Sequence, residues 1–281
     1  MRGFVNAIGF LTIIKIPERY CYHKDFSPAL AYFPLAGLAV GIMGAFFFWG
    51  FSFFLPIAVA SVLAVGIEVV LTRGLHYDGL ADVFDGFFSG AKGKDGVLEI
   101  MKKSDIGSFG VMAVVFMLLL KIALIYFLYT FLGANIWLFL AVLSFMPLWG
   151  RWSMVYLLKS HPPAKKEGSL AAMFSSVKNS RYLMVSSVYA LVLFLGSVYA
   201  AESILGGPVV VCAGPFAGLV PILGPVLKAV IIFLAPFLVL MFLGGYFSKR
   251  LGGINGDILG ACSIMVEVFY LFVSFLVFSY L

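Results

Sequence analysis

Between Asp25 and Glu68 the chain carries no ionisable side chain other than tyrosine. A helix that crosses a bilayer needs roughly 20 apolar residues at about 1.5 Å rise each, and this stretch alone is long enough for two crossings. Inside lipid the backbone must satisfy itself, which only helices and closed barrels do. The apolar runs do not alternate with period two, so they suit helices. Composition points the same way: 63% of residues are hydrophobic and 11% charged, against about 25% charged in a soluble domain. The expected fold is all-α, a polytopic membrane helix bundle forming one domain over residues 1–281.

The spacing predicts spans over about 29–50, 56–73, 109–132, 135–150, 182–201, 229–247 and 258–281. Met1 to Ile14 reads as a retained interfacial helix, because Lys15 follows directly and no small-x-small cleavage pattern is present. The stretch 207–225 is apolar but holds Pro208, Pro215, Pro221 and Pro225, a density that breaks helix interiors. If it turns back, the N-terminus, both polar loops and Lys249-Arg250 share one side, as the positive-inside rule prefers. Seven spans with cytoplasmic loop helices follow; a full crossing of 207–225 makes eight. The net charge of +6 is then the lysine and arginine excess of cytoplasmic loops rather than a nucleic-acid surface. Cys21, Cys212 and Cys262 are widely separated and suggest neither disulfides nor a zinc site.

Polar residues concentrate in two loops. Segment 74–108 holds six acidic and four basic residues, and 151–181 is strongly basic. Within the first, Asp78, Asp82 and Asp85 stand at i, i+4 and i+7, one face of a helix. Three like charges in a stripe repel unless a cation joins them. Mg²⁺ suits such oxygens and keeps waters that a phosphate replaces. The bland alternative is a solvated acidic loop. Lys102 and Lys103 are candidates for a substrate phosphate, or charges that mark the membrane edge, where Lys103 also suits an i, i+4 pair with Glu99. Gly252-Gly253-Ile254-Asn255-Gly256-Asp257 opens an apolar helix, either as an anion-binding turn or as a plain cap.

Glu68, Lys121 and Glu267 lie in the apolar runs, where each costs about 2.5–3.5 kcal/mol on insertion scales. We expect Lys121 to neutralise Glu68 or Glu267; its snorkelling to an interface is the alternative.

These motifs resemble the cobalamin synthase (adenosylcobinamide-GDP ribazoletransferase) family. The likeness covers the whole length in order: Gly9 to Pro17, Phe33 to Gly37, Gly74-Leu-His-Tyr-Asp-Gly-Leu-Ala-Asp-Val-Phe-Asp-Gly86, Glu99-Ile-Met101, Gly107, Gly150-Arg151, Glu167-Gly168 and Gly252 to Ala261. The chain departs from the family pattern at Lys103-Ser-Asp105, at Asn255 and at Ile264. The resemblance implies transfer of the cobinamide phosphate of adenosylcobinamide-GDP to α-ribazole, or its 5′-phosphate, with release of GMP. It implies Mg²⁺ on Asp78, Asp82 and Asp85. It makes Asp82, Asp257 or His76 the base, and gives phosphate contacts to Arg151, Lys102 and Lys103. The implied location is the cell membrane with the site facing the cytoplasm; self-association into a homo-oligomer stays open.

Two other classes compete. CDP-alcohol phosphotransferases and prenyltransferases also use aspartate-rich helices, but Ala81 is followed by Asp82 rather than arginine, and only one acidic cluster of this kind exists. A cation-coupled transporter would use Glu68, Lys121 and Glu267 as a relay, yet no matching second half is evident.

Overall fold

The computed structural model describes residues 2–20, 26–103, 105–164, 181–204 and 220–280. These fold into ten α-helices: α1 Arg2–Leu11, α2 Phe33–Ser52, α3 Ile57–Leu71, α4 Leu75–Phe88, α5 Gly93–Ile100, α6 Ser108–Leu132, α7 Ile136–Ser160, α8 Arg181–Ile204, α9 Val220–Leu251 and α10 Gly256–Tyr280. Among the described residues, extended pairing is limited to one bridge between Pro163 and Ile254. Most of 207–225, on which the choice between seven and eight spans rests, lies outside them; α9 takes in Pro221 and Pro225.

Five stretches are long and apolar enough to cross a membrane, and the α3–α4 pair, bent by 89°, makes a sixth. The longest stretch, 53 residues from Ser108 to Ser160, is two passes. Lys121 on α6 and Arg151 on α7 both reach Glu267, whereas a straight helix would hold them about 45 Å apart. Seven apolar passes result among the described residues, matching the seven expected outside 207–225. The side chains that point outward are apolar: Phe46, Phe116, Leu119, Val192 and Phe242 are all exposed, the expected lipid-facing coat. At one end Trp49 and Trp137 are also exposed, where an aromatic belt would stand.

Lipid tails are as apolar as leucine, so helices associate through close packing and polar contacts. α2 lies on α7 at Gly37 and Gly41, where any Cβ would strike the backbone carbonyls of Pro147 and Ser144. α10 is the centre: 67% of its apolar stretch is buried, against 22% for α8 and α9.

The centre also holds the intramembrane charges. Lys121 Nζ lies 2.7 Å from Glu68 and 2.6 Å from Glu267. Arg151 donates to Glu267 and stands 3.7 Å from Glu68. All four side chains are at most 5% exposed. Two cations thus meet two anions at the junction of α3, α6, α7 and α10. Lys121 pairs with both glutamates at once while Arg151 supplies the second positive charge, and snorkelling is excluded by the complete burial of Lys121.

The opposite end from Trp49 and Trp137 gathers the C-termini of α3, α7 and α9 and the N-termini of α6 and α10. α4 and α5 lie across it. α1 joins through Ile13, whose N–H donates to the Leu71 carbonyl.

Candidate active site

The site begins at the hinge that turns the chain from α3 into α4. The Gly74 N–H reaches back to the Val69 carbonyl and the Arg73 N–H to that of Val70. This six-to-one and five-to-two pattern is a Schellman end, whose C′ residue is left-handed. That residue is Arg73, at φ 56°, followed by Gly74 at φ 65°. A left-handed conformation costs a non-glycine residue about 1–2 kcal/mol, so the hinge carries strain that glycine at position 73 would not.

Beyond the hinge, α4 is two-faced. His76, Leu80 and Val83 are buried, while Asp78 is exposed and Asp82 half-buried. Gly79 sits against the Asp257 backbone, where a Cβ would stand 2.8 Å from the carbonyl oxygen. That approach brings the first turn of α10 beside the stripe. Asn255 caps α10 by accepting from the Ile258 N–H, and its Nδ2 donates to Asp257 Oδ2 at 2.8 Å. The glycine-rich turn before it is held by the segment after α7, since Ala164 and Ile254 exchange backbone bonds through Pro162.

Asp85 has a different occupation. Its carboxylate accepts from the Gly107 N–H at 2.7 Å and the Gly110 N–H at 2.8 Å, and it is 8% exposed. It therefore caps the N-terminus of α6, where free N–H groups favour an anion. A Cβ at Gly107 or Gly110 would collide with it. The stripe thus divides: one carboxylate ties two helices, and two remain open.

The open acids face uncompensated like charge. Among the described residues no cation pairs with Asp78, Asp82 or Asp257; the ion pairs are those of the buried quartet. Burial, then Asp257, Asp78 and Asp85, push the Asp82 carboxyl up to about 7. As the side chains stand, no three carboxylates converge on one point among the described residues. The triple grip predicted for Asp78, Asp82 and Asp85 is not formed, because Asp85 is spent on α6. Mg²⁺ needs only one or two carboxylates, with water and phosphate completing its octahedron, so Asp78 and Asp82 fit it chemically.

Two other expected residues point elsewhere. His76 is 1% exposed, about 200° around α4 from Asp78, and neither ring nitrogen has a partner. Burial, then the Arg151 and Lys121 charges, hold its imidazole well below its ordinary value. It is walled off from the stripe. Arg151 is committed to Glu267 inside the bundle rather than facing a loop. The Gly150-Arg151 motif looks like a loop boundary in sequence, but α7 runs on to Ser160. Lys102 and Lys103 are exposed at the end of α5, and the local pair of Glu99 with Lys103 is not formed.

A cleft of about 500 Å³ opens beside Asp78. Arg73, Tyr77, Leu75, Ile106 and Val114 are among its walls. It is mostly apolar, with one acid and one cation at its rim. Arg73 escaped the sequence reading because its value comes from the bend, and the bend is invisible without the α3–α4 geometry.

The fold and site together define a polytopic membrane protein with an acidic, cleft-forming helix across one end of the bundle. Comparison with known proteins makes this particular. A family model described as Cobalamin-5-phosphate synthase matches residues 3–275. A relative from Chlorobaculum parvum named adenosylcobinamide-GDP ribazoletransferase is 33% identical over 98% of this chain and 95% of its own. One of the same name from Clostridium botulinum is 31% identical over 97% of both. The chain belongs to the Cobalamin-5-phosphate synthase family. No solved structure matches it.

Proposed function

We propose that this enzyme performs the final nucleotide-loop assembly of cobalamin biosynthesis. It joins the cobinamide phosphate of adenosylcobinamide-GDP to α-ribazole, or its 5′-phosphate, and releases GMP. Family membership over nearly the whole chain carries the reading. The ribose hydroxyl forms a bond to the phosphorus attached to cobinamide, the bond from that phosphorus to the GMP oxygen breaks, and the hydroxyl proton passes to a carboxylate. Transfer of this kind rests on positioning and on charge stabilisation.

Asp78 and Asp82 would hold Mg²⁺, which when bound offsets the charge of the diphosphate. Asp257 suits the base, because Asn255 fixes one of its oxygens and leaves the other to take the proton. Lys102 and Lys103 stand free for a substrate phosphate. The cleft beside Asp78 offers apolar walls to a large amphipathic substrate. Arg73, Lys92, Lys94, Lys102, Lys103, Lys249 and Arg250 all lie at the end that carries the stripe, and the positive-inside rule turns that end to the cytoplasm of the cell membrane. The adverse buried charges are matched two to two, so a transporter relay finds no support in them. Purified protein supplied with adenosylcobinamide-GDP, α-ribazole and Mg²⁺ should yield cobalamin and GMP. Flux of substrate across vesicles without product would reject the reading.

A further inference from the structure

We propose that Arg73 is the cation that receives the diphosphate of the nucleotide-activated substrate, a specificity role for the reaction above and dependent on that reading. Four observations meet at this residue. It is the one cation among the described residues that line the cleft, and Asp78 lines the same cleft. It occupies a left-handed position, φ 56°, at a helix end where glycine is the unstrained choice. Its side chain is exposed, and its guanidinium makes one long contact, 3.3 Å from Nη2 to the Phe10 carbonyl. The arginine expected on phosphate, Arg151, is buried against Glu267.

Strain retained at a hinge asks what the side chain does there. A single 3.3 Å bond to an exposed carbonyl is a weak return, and it leaves four of the five guanidinium N–H donors free. Arg73 lines the same cleft as Asp78, the carboxylate that would hold Mg²⁺. A diphosphate bound in this cleft would be within the reach of both, and a planar guanidinium fork suits its paired oxygens better than an ammonium does. The apolar walls, Ile106 and Val114, would then take the rest of a large ligand.

A phosphate could equally belong to a lipid headgroup, since Arg73 lies near the membrane surface. The test separates the two. KM values for adenosylcobinamide-GDP and for α-ribazole, inhibition by inorganic pyrophosphate and thermal midpoints are measured for wild type, Arg73→Gly and Arg73→Lys. Each is assayed in nonionic detergent, in phosphatidylcholine vesicles, and in the same vesicles with phosphatidylglycerol. Arg73→Gly should raise KM for adenosylcobinamide-GDP about ten-fold and weaken pyrophosphate inhibition alike. KM for α-ribazole should stay within about two-fold, and the thermal midpoint should hold or rise as the hinge relaxes. Arg73→Lys should recover part of the loss. An unchanged KM for adenosylcobinamide-GDP overturns the proposal. A defect confined to phosphatidylglycerol vesicles assigns Arg73 to lipid. A lowered midpoint with both KM values raised together makes it a tether for α1. Failure of wild type to release GMP would instead remove the underlying reading before any variant is compared.

Discussion

Two clusters of charge sit in this molecule, and they follow opposite rules. In the bundle centre, Glu68, Lys121, Arg151 and Glu267 are fully buried and matched two against two. At the rim, Asp78, Asp82 and Asp257 gather acids with no cation paired to them among the described residues. The first cluster is balanced in charge, with Arg151 Nη2 its one polar atom without a partner among the described residues. The second is incomplete, and an incomplete acidic cluster beside a cleft is what a cation and an anionic substrate would finish. The pairing also explains how residues predicted for the site can be necessary without touching substrate. Arg151 belongs to the balanced cluster.

The largest expected effect breaks the central cluster. Glu267→Ala leaves Lys121 and Arg151 with one shared carboxylate, and removing one partner of a buried pair costs about 3–5 kcal/mol. Folded yield from membranes should collapse, and the thermal midpoint of what survives should fall sharply. Glu267→Gln combined with Lys121→Met leaves Arg151 with Glu68 and should recover most of the yield. If the single change is tolerated as well as the double, the quartet is not holding the bundle together.

Breaking the rim should do the reverse. Asp82→Asn is expected to lower GMP release about 10²–10³-fold while the protein stays folded in membranes. Retained turnover would take Asp82 out of the reaction. Asp85 sharpens the contrast, since it stands in the stripe but serves the fold. Asp85→Ala removes the cap of α6 and should destabilise by about 1 kcal/mol, with up to about 2 kcal/mol for a cap of this kind. The measurement is the thermal midpoint in the presence of a chelator. A midpoint unchanged by Asp85→Ala, with activity lost as in Asp82→Asn, would return Asp85 to the metal.

The same contrast shows what sequence conveys. Apolar run length gives the seven passes outside 207–225, because a bilayer imposes its thickness on each helix separately. The i, i+4, i+7 spacing puts the aspartates on one face, because that is local geometry. What spacing does not carry is the partner on another helix. Asp85 looks like its neighbours until Gly107 and Gly110 are brought to it from 22 and 25 residues away. Lys121 could be assigned an acid, but not two acids shared with Arg151, since that requires four helices to meet. His76 is drawn into the site by its motif and taken out of it by the helical turn that separates positions 76 and 78. Arg73 needs the hinge.

The smallest effect concerns pH. In the folded protein Asp82 titrates near 7 instead of its ordinary 3.8, first through burial and then through Asp257, Asp78 and Asp85. Folding therefore holds a proton that the unfolded chain releases, and stability falls as pH rises between those two values. The contribution is fully present below about pH 4 and is gone above about pH 7. Asp82→Asn cannot ionise, so with chelator present its thermal midpoint should gain on wild type from pH 5 to pH 7 and run parallel above. The gain should be slight, since Asp82 is half-exposed and solvent screens its neighbours. Added Mg²⁺ should narrow the gap by giving wild type the missing cation. A gap that is flat across this range would mean that the rim acids do not feel one another, and the distinction between a balanced and an incomplete cluster would lose its electrostatic basis.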